Sequence, residues 1–224
     1  MGDSPSAGSV LTVPLFPLPN VVLFPRAVLP LHIFEQRYRQ MTADALTGNR
    51  QVAIALLRPG WEKSYYERPE IEPVVCVGTI LSHEKLPDGK YNFLLQGEMR
   101  ARIIQEERCE KSYRIARVER IQERPLESQQ ERDQRQRLEG MLINSKLELP
   151  ACSAQLTQLA GSSLPLADIA DLIAYNCIED IPAKQELLAE ADVGIRVGRI
   201  LDQLDKAIAA TRSVRTAARR AHLN

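Results

Sequence analysis

The chain has 224 residues, 44% of them hydrophobic and 26% charged, with 29 Lys and Arg balancing 29 Asp and Glu. This length supports a sizeable core in one large domain or two small ones. A zero formal charge lacks the basic excess of nucleic-acid binders, and no run of about 18 apolar residues is present to cross a membrane. The start, "MGDSPSAGSVLTV", has neither a basic n-region nor an apolar h-region, so a cytoplasmic location is expected, with residues 1–9 a flexible polar tail.

Next comes "PLFPLPNVVLFPRAVLPLHIFEQRYRQM" (14–41), the most apolar stretch and the richest in proline. Pro14, Pro17, Pro19 and Pro25 predict an extended lead-in and a turn, and Pro30 an edge or bulge position, because proline brings no donor to a ladder. The surrounding apolarity argues for burial over a polyproline ligand. Short apolar runs continue to about residue 125: "VVLF", "VLPLHIF", "QVAIALL", "PVVCVGTIL", "YNFLLQG", "RARIIQ" and "YRIARVERI". Their length and β-branched content predict strands, with Leu94 in a barrel strand as core and Asp88-Gly89 supplying the φ > 0 positions of a hairpin. "YRIARVERI" predicts a half-exposed, bulged strand with Tyr113, Ile115, Val118 and Ile121 inward. One amphipathic helix is expected at about Glu35–Leu46, ending at Gly48. Together these predict a small closed or nearly closed barrel over 10–124.

Beyond residue 125 the period becomes helical. Ser128 to Glu131 fits a capping box, and the helix that follows carries Leu138, Met141 and Leu142. Ser163 and Pro165 open a helix bearing Leu166, Ile169, Leu172 and Ile173, and Asp180-Ile181-Pro182 opens a short one. Asp192 opens the last, with Val193, Val197, Ile200, Leu201, Leu204 and Ile208 on one face. Gly194 and Gly198 suit close helix packing. A helical bundle over 125–224 results, and the fold class is α+β.

Motifs for chemistry are sparse. No GxxxxGK[ST] phosphate loop occurs. "PSAG" around Ser6 has no lysine on a rigid element to activate the hydroxyl, so no catalytic residue is assigned. His32, His83 and His222 lack a third ligand at recognisable spacing, which leaves no metal or cofactor expected. Cys76, Cys109, Cys152 and Cys177 show no short-range pairing and predict reduced thiols. Glu106, Glu107 and Glu110 among Arg100, Arg102, Arg108 and Lys111 read as a solvated mixed-charge surface. Arg212, Arg215, Arg219 and Arg220 complement a helix C-terminus or meet phosphate.

The informative segment is "RPGWEKSYYERPEI" (58–71), which holds the only Trp. Aromatic rings on an adaptable loop offer large contact area for a modest loss of entropy. Trp61, Tyr65 and Tyr66 are the candidate contact aromatics, with Arg58 and Lys63 as polar rim; the alternative is a lid folded on the barrel.

"PLFPLPNVVLFPRAVLPLHIFEQRYRQM", "VGTI" (77–80), "LPDGKYNFLLQGEMRARI" (86–103) and "KQELLAEADVGIRVGRILDQL" (184–204), in that order and spacing, resemble the N-terminal domain of ATP-dependent Lon proteases, and more closely the stand-alone proteins built from that domain. The resemblance implies a PUA-like β pseudo-barrel with one inserted helix, followed by a helical bundle. It implies a non-enzymatic module that binds unfolded or partner polypeptides, lacking the ATPase and protease domains. An RNA-binding PUA-like module is the alternative, disfavoured by the zero net charge. A small-molecule hydrolase lacks any convergent nucleophile and base.

Overall fold

The computed structural model describes residues 10–144, 158–159 and 161–221, with side chains described as far as residue 214. The chain divides into two compact units after Gln122.

The first unit contains strands β1 (Val10–Leu18), β2 (Val28–Ile33), β3 (Gln51–Leu56), β4 (Val74–Lys85), β5 (Tyr91–Glu107) and β6 (Arg114–Arg120), with helix α1 (Gln36–Thr47) between β2 and β3. The strand order is β2-β5-β4-β3-β1-β6, and β6 pairs back to β5, so five strands close a ring while β2 extends it as a flap. The length of β5 permits both roles: residues 91–96 pair with β2, from Ile33↔Tyr91 to Val28↔Gln96, and residues 101–107 pair with β6. β1 and β3 are parallel, a pairing that requires a crossover, and β2 with α1 supplies it. The ring interior is filled by Val13, Leu15, Ala53, Ala55, Val75, Val77, Ala101, Ala116 and Val118. Alanine and valine dominate because a ring of so few strands is narrow inside.

The prolines obey the ladder. The extended lead-in is a nine-residue strand, β1, in which Pro14 lies where β1 pairs with β6 alone and Pro17 where it pairs with β3 alone. Each therefore has one open side for the absent donor. Pro30 lies on the edge strand β2. "VVLF", expected as a strand, forms none; Val22, Leu23 and Phe24 are buried, and Phe24–Ala27 turns with Pro25 second and Arg26 third at φ 67. The turn rests on β5: Arg26 N–H donates to Gly97 O at 2.8 Å and Gly97 N–H to Ala27 O at 2.9 Å. A Cβ on Gly97 would lie 2.1 Å from Phe24 O, so only glycine fits there.

Two further local expectations are corrected. In the hairpin only Gly89 has positive φ (81°), because Gly89 N–H closes a tight turn onto Leu86 O and Leu86 N–H reaches Lys90 O. The bulge expected in "YRIARVERI" belongs to its partner: the register slips between Ile103 and Gln105 of β5, leaving Ile104 exposed. β6 buries Ala116 and Val118 while Ile115 and Ile121 are only half-buried.

The second unit contains α2 (Ser128–Asn144), α3 (Leu166–Cys177), α4 (Ile181–Ala189) and α5 (Val193–Ala221). α5 packs against the other three helices and buries Val193, Val197, Ile200, Leu201, Leu204 and Ile208, the predicted face. Asp180 Oδ1 accepts from Ala183 N–H at 2.7 Å and Asp192 Oδ1 from Ile195 N–H at 3.0 Å, the capping that the sequence indicates. The capping box at Ser128 does not form; Ser128 is already helical, and Glu131 accepts from the Leu166 N–H at the start of α3 and pairs with Arg135. Gly194 admits Leu126, whose Cδ2 lies 2.6 Å from where a Cβ would be, whereas a Cβ on Gly198 would meet nothing within 4 Å among the described residues. Cys177 is disulfide-bonded, which corrects the reduced-thiol reading for that residue; Cys76 and Cys109 form no disulfide.

The whole is the expected α+β class: a β pseudo-barrel with one inserted helix, then helices.

Candidate functional site

The 58–71 loop leaves the barrel through a closed neck. Leu57 bridges Ile71, Arg58 N–H donates to Glu70 O at 2.9 Å, and Glu72 N–H donates to Leu56 O at 2.8 Å. Gly60, at φ 89, starts the single 3-10 turn Trp61–Ser64. The three aromatics form an edge-to-face chain, with Trp61 and Tyr65 centroids 5.4 Å apart and Tyr65 and Tyr66 5.2 Å apart. Their exposures differ: Trp61 and Tyr65 are half-buried and Tyr66 is 88% exposed. Arg58 sits at the neck, 3.5 Å from Glu70 and 3.3 Å from Glu72, and Lys63 is exposed on the turn.

Tyr65 anchors the loop to the start of α1. Its hydroxyl donates to Glu35 Oε1 at 2.5 Å, and Arg37 Nε donates to Glu35 Oε2 at 3.0 Å. The Arg37 guanidinium lies between two rings, 4.6 Å from the Tyr38 centroid and 4.9 Å from that of Tyr65. Burial raises the Tyr65 hydroxyl above its ordinary pKa, and the Glu35 carboxylate raises it further. Burial lifts Tyr38 from 10.0 to about 12.

The loop, α1 and the β5–β6 connection enclose a cavity of about 410 Å³. Tyr38, Tyr65 and Tyr113 form its aromatic wall, and Arg37, Arg68, Arg108, Lys111 and Arg114 surround it. Arg114 is held by both oxygens of Glu106 and by Pro69 O, 2.7 Å from its Nη1. Tyr113 Oη and Lys111 Nζ both donate to Asp44 Oδ2, at 2.7 and 2.9 Å. Those hydrogen bonds hold the Asp44 carboxyl below its usual range. Arg37, Tyr38 and Arg114 escape sequence reasoning because they lie on an ordinary amphipathic helix and strand; only the fold brings them to Tyr65.

A second surface lies on the flap. Outward positions alternate across three strands, pairing Pro30 with Leu94 and Leu94 with Ser82, and His32 with Asn92 and Asn92 with Glu84. The register slip between Ile80 and Ser82 pushes Leu81 outward. Val28 (39%), Leu94 (40%), Leu81 (49%) and Phe34 (61%) are exposed there. Leu94, expected in the core, thus stands on the outer face, and its neighbours Phe93 and Leu95 are the buried ones. His32 Nδ1 lies 2.7 Å from Asn92 Oδ1 and its ring stacks at 6.3 Å on Phe34, so its side-chain partner is Asn92 rather than Glu35. Among the described residues no three His, Cys, Asp or Glu side chains are grouped to hold a metal ion. Arg100, expected at a solvated surface, is buried at 2% exposure. Ser6 and the side chains of Arg215, Arg219 and Arg220 lie outside the described part.

Residues 12–206 match the family described as the ATP-dependent protease La (LON) substrate-binding domain. The chain belongs to that family. The LON substrate-binding domain here is 27% identical over 198 residues to a Lon protease of Desulfosudis oleivorans, covering 87% of this chain and 24% of that one. It is 28% identical over 204 residues to Lon protease 2 of Myxococcus xanthus, covering 87% and 23%. The chain thus spans about a quarter of the length of the relatives it matches. The fold agrees with the N-terminal domain of the Mycobacterium avium complex Lon protease, at a TM-score of 0.69 and 16% identity over 87% of this chain and 98% of that one. A Lon N-terminal domain protein from Xanthomonas campestris gives 0.59 at 19% identity, over 86% and 98%. No helix among the described residues is long and apolar enough to cross a membrane.

Proposed function

We propose that this LON substrate-binding domain is a non-enzymatic module that holds exposed apolar segments of unfolded or partner polypeptides on the outward face of its flap. The observation that carries the reading is the cluster of Val28, Leu81 and Leu94 on neighbouring strands with Phe34 just past the end of β2, large apolar side chains left in solvent. The outer edge of β2 beside them pairs with no strand among the described residues, which offers main-chain groups to an extended segment. Trp61, Tyr65 and Tyr66, with Arg58 and Lys63 as rim, form an adjoining contact: Tyr65 is bonded to Glu35, the residue after Phe34. Tyr66 presents the most surface of the three rings, and Trp61 and Tyr65 support it. Family membership supports a polypeptide ligand, and a cytoplasmic location accords with this role.

The test is binding of reduced, carboxymethylated lactalbumin. Val28→Ser with Leu94→Ser should weaken it by about tenfold or more while shifting stability by no more than about 0.5 kcal/mol, as expected of surface positions. Tyr66→Ser should weaken it by a smaller factor. Unchanged binding in the flap double variant overturns the flap assignment, and unchanged binding in Tyr66→Ser removes the loop from the surface. Submicromolar binding of RNA persisting at about 150 mM salt would replace the polypeptide reading with the nucleic-acid one.

A further inference from the structure

The structure assigns a second ligand to this chain: the cavity between the 58–71 loop, α1 and the β5–β6 connection is a binding site for a phosphate monoester carried on a flat organic group. The inference stands apart from the flap part of the polypeptide reading, since none of the flap residues lines this cavity and Tyr65 is the one residue that the two readings share.

Charge is the first argument. The chain is neutral as a whole, yet the cavity lining carries Arg37, Arg68, Arg108, Lys111 and Arg114 against a single acid, Glu67. Glu35, Asp44 and Glu106 stand behind the lining and answer Arg37, Lys111 and the pair Arg68 and Arg114. Arg108 has no hydrogen-bond or ion-pair partner among the described residues, and Arg68 reaches Glu106 only at 3.6 Å while 54% exposed. The Nη2 of Arg37 is buried without a hydrogen bond, because its 3.0 Å approach to Glu35 lacks bond alignment. Donors in excess of acceptors around a concavity focus positive potential on whatever enters it.

Geometry selects the anion. A carboxylate presents two oxygens in one plane, which suits one guanidinium, as Glu106 already does for Arg114. Arg68 approaches from the loop while Arg108 and Lys111 approach from the β5–β6 connection, and a tetrahedral phosphate with three free oxygens answers donors from separate directions. The aromatic wall and a volume of about 410 Å³ leave room for a ring beside the phosphate.

Trp61, the only tryptophan, is a built-in reporter, since its ring lies 5.4 Å from that of the lining residue Tyr65. Phenyl phosphate titrated into the full chain at low salt should give a saturable fluorescence change with a Kd below about 1 mM, and calorimetry run in parallel covers a silent tryptophan. Arg108→Ala should weaken binding by about tenfold or more without moving the unfolding midpoint, because the side chain is exposed and unpartnered. Benzoate, the same ring on a carboxylate, should bind at least about tenfold more weakly than phenyl phosphate. A tyrosine-phosphorylated peptide that binds tighter than phenyl phosphate assigns the group to a polypeptide, and equal or weaker binding assigns it to a free phosphate ester. Absence of saturable binding, an affinity unchanged in Arg108→Ala, or benzoate binding as tightly as phenyl phosphate overturns the site.

Discussion

Tyr38 shows how one side chain couples the cavity wall to stability. It is 5% exposed, packs at 4.5 Å on Phe16, and carries a hydroxyl whose pKa burial raises from 10.0 to about 12. Below pH 10 both folded and unfolded chains keep this proton and the contribution is fully present; between 10 and 12 only the unfolded chain loses it. Stability should therefore fall by about 1.4 kcal/mol per pH unit across that window, about 3 kcal/mol in all. Urea titrations in that window should show a shallower fall in Tyr38→Phe, which keeps the ring and removes the proton. Leu94 and Leu95 supply a contrast in adjacent positions, at 40% and 0% exposure. Leu95→Ala should cost about 2–5 kcal/mol and Leu94→Ala well under about 1 kcal/mol, read from denaturant midpoints. Similar losses at both would contradict the register of β5.

Among the elements, α5 organises the helical unit through one buried cation. Arg196 is completely buried, with Nε 3.2 Å from Asp171 of α3, Nη2 2.6 Å from Glu123 and Nη1 donating to Glu190 O at 2.9 Å. Asp171 itself is 1% exposed, so loss of this cation removes a compensating charge from a buried carboxylate. Arg196→Ala should destabilise the helices by about 3–5 kcal/mol, seen as a lower thermal midpoint in far-UV circular dichroism. Arg196→Met combined with Asp171→Leu should recover most of the loss, because the desolvation of both charges disappears with them. If the double variant is as unstable as the single one, the ions contribute packing specificity that apolar groups cannot replace.

For the whole molecule, the first unit closes its own sheet. β6 returns to β1 and to β5, and every ladder partner lies before residue 122. A fragment of residues 1–122 should therefore unfold cooperatively and retain the Trp61 environment, measured by tryptophan emission and a denaturant transition. A fragment that is unfolded, or that melts without a cooperative step, would show that the closed sheet is insufficient by itself. The same closure gives the proposed sites their character: the ring is the rigid frame, and the flap and the 58–71 loop extend from it.

Periodicity and local caps determined the helices. Asp180 and Asp192 cap where they are expected and the apolar face of α5 is buried as read, because caps and 3.6-residue stripes act within a few turns of chain. Four ordered blocks also identified the family, and with it the barrel-then-helices architecture. The strands were less legible: nothing local tells β1 that it can keep two prolines, since that depends on which neighbour ends where, and nothing local tells Leu94 from Leu95, since bulges near Glu98 and Leu81 set the phase. For the same reason Trp61, Tyr65 and Tyr66 could be singled out from composition, but Arg37, Tyr38, Tyr113 and Arg114 could not. A cavity is made of residues distant in sequence, and only the closing of the sheet decided which of them would meet.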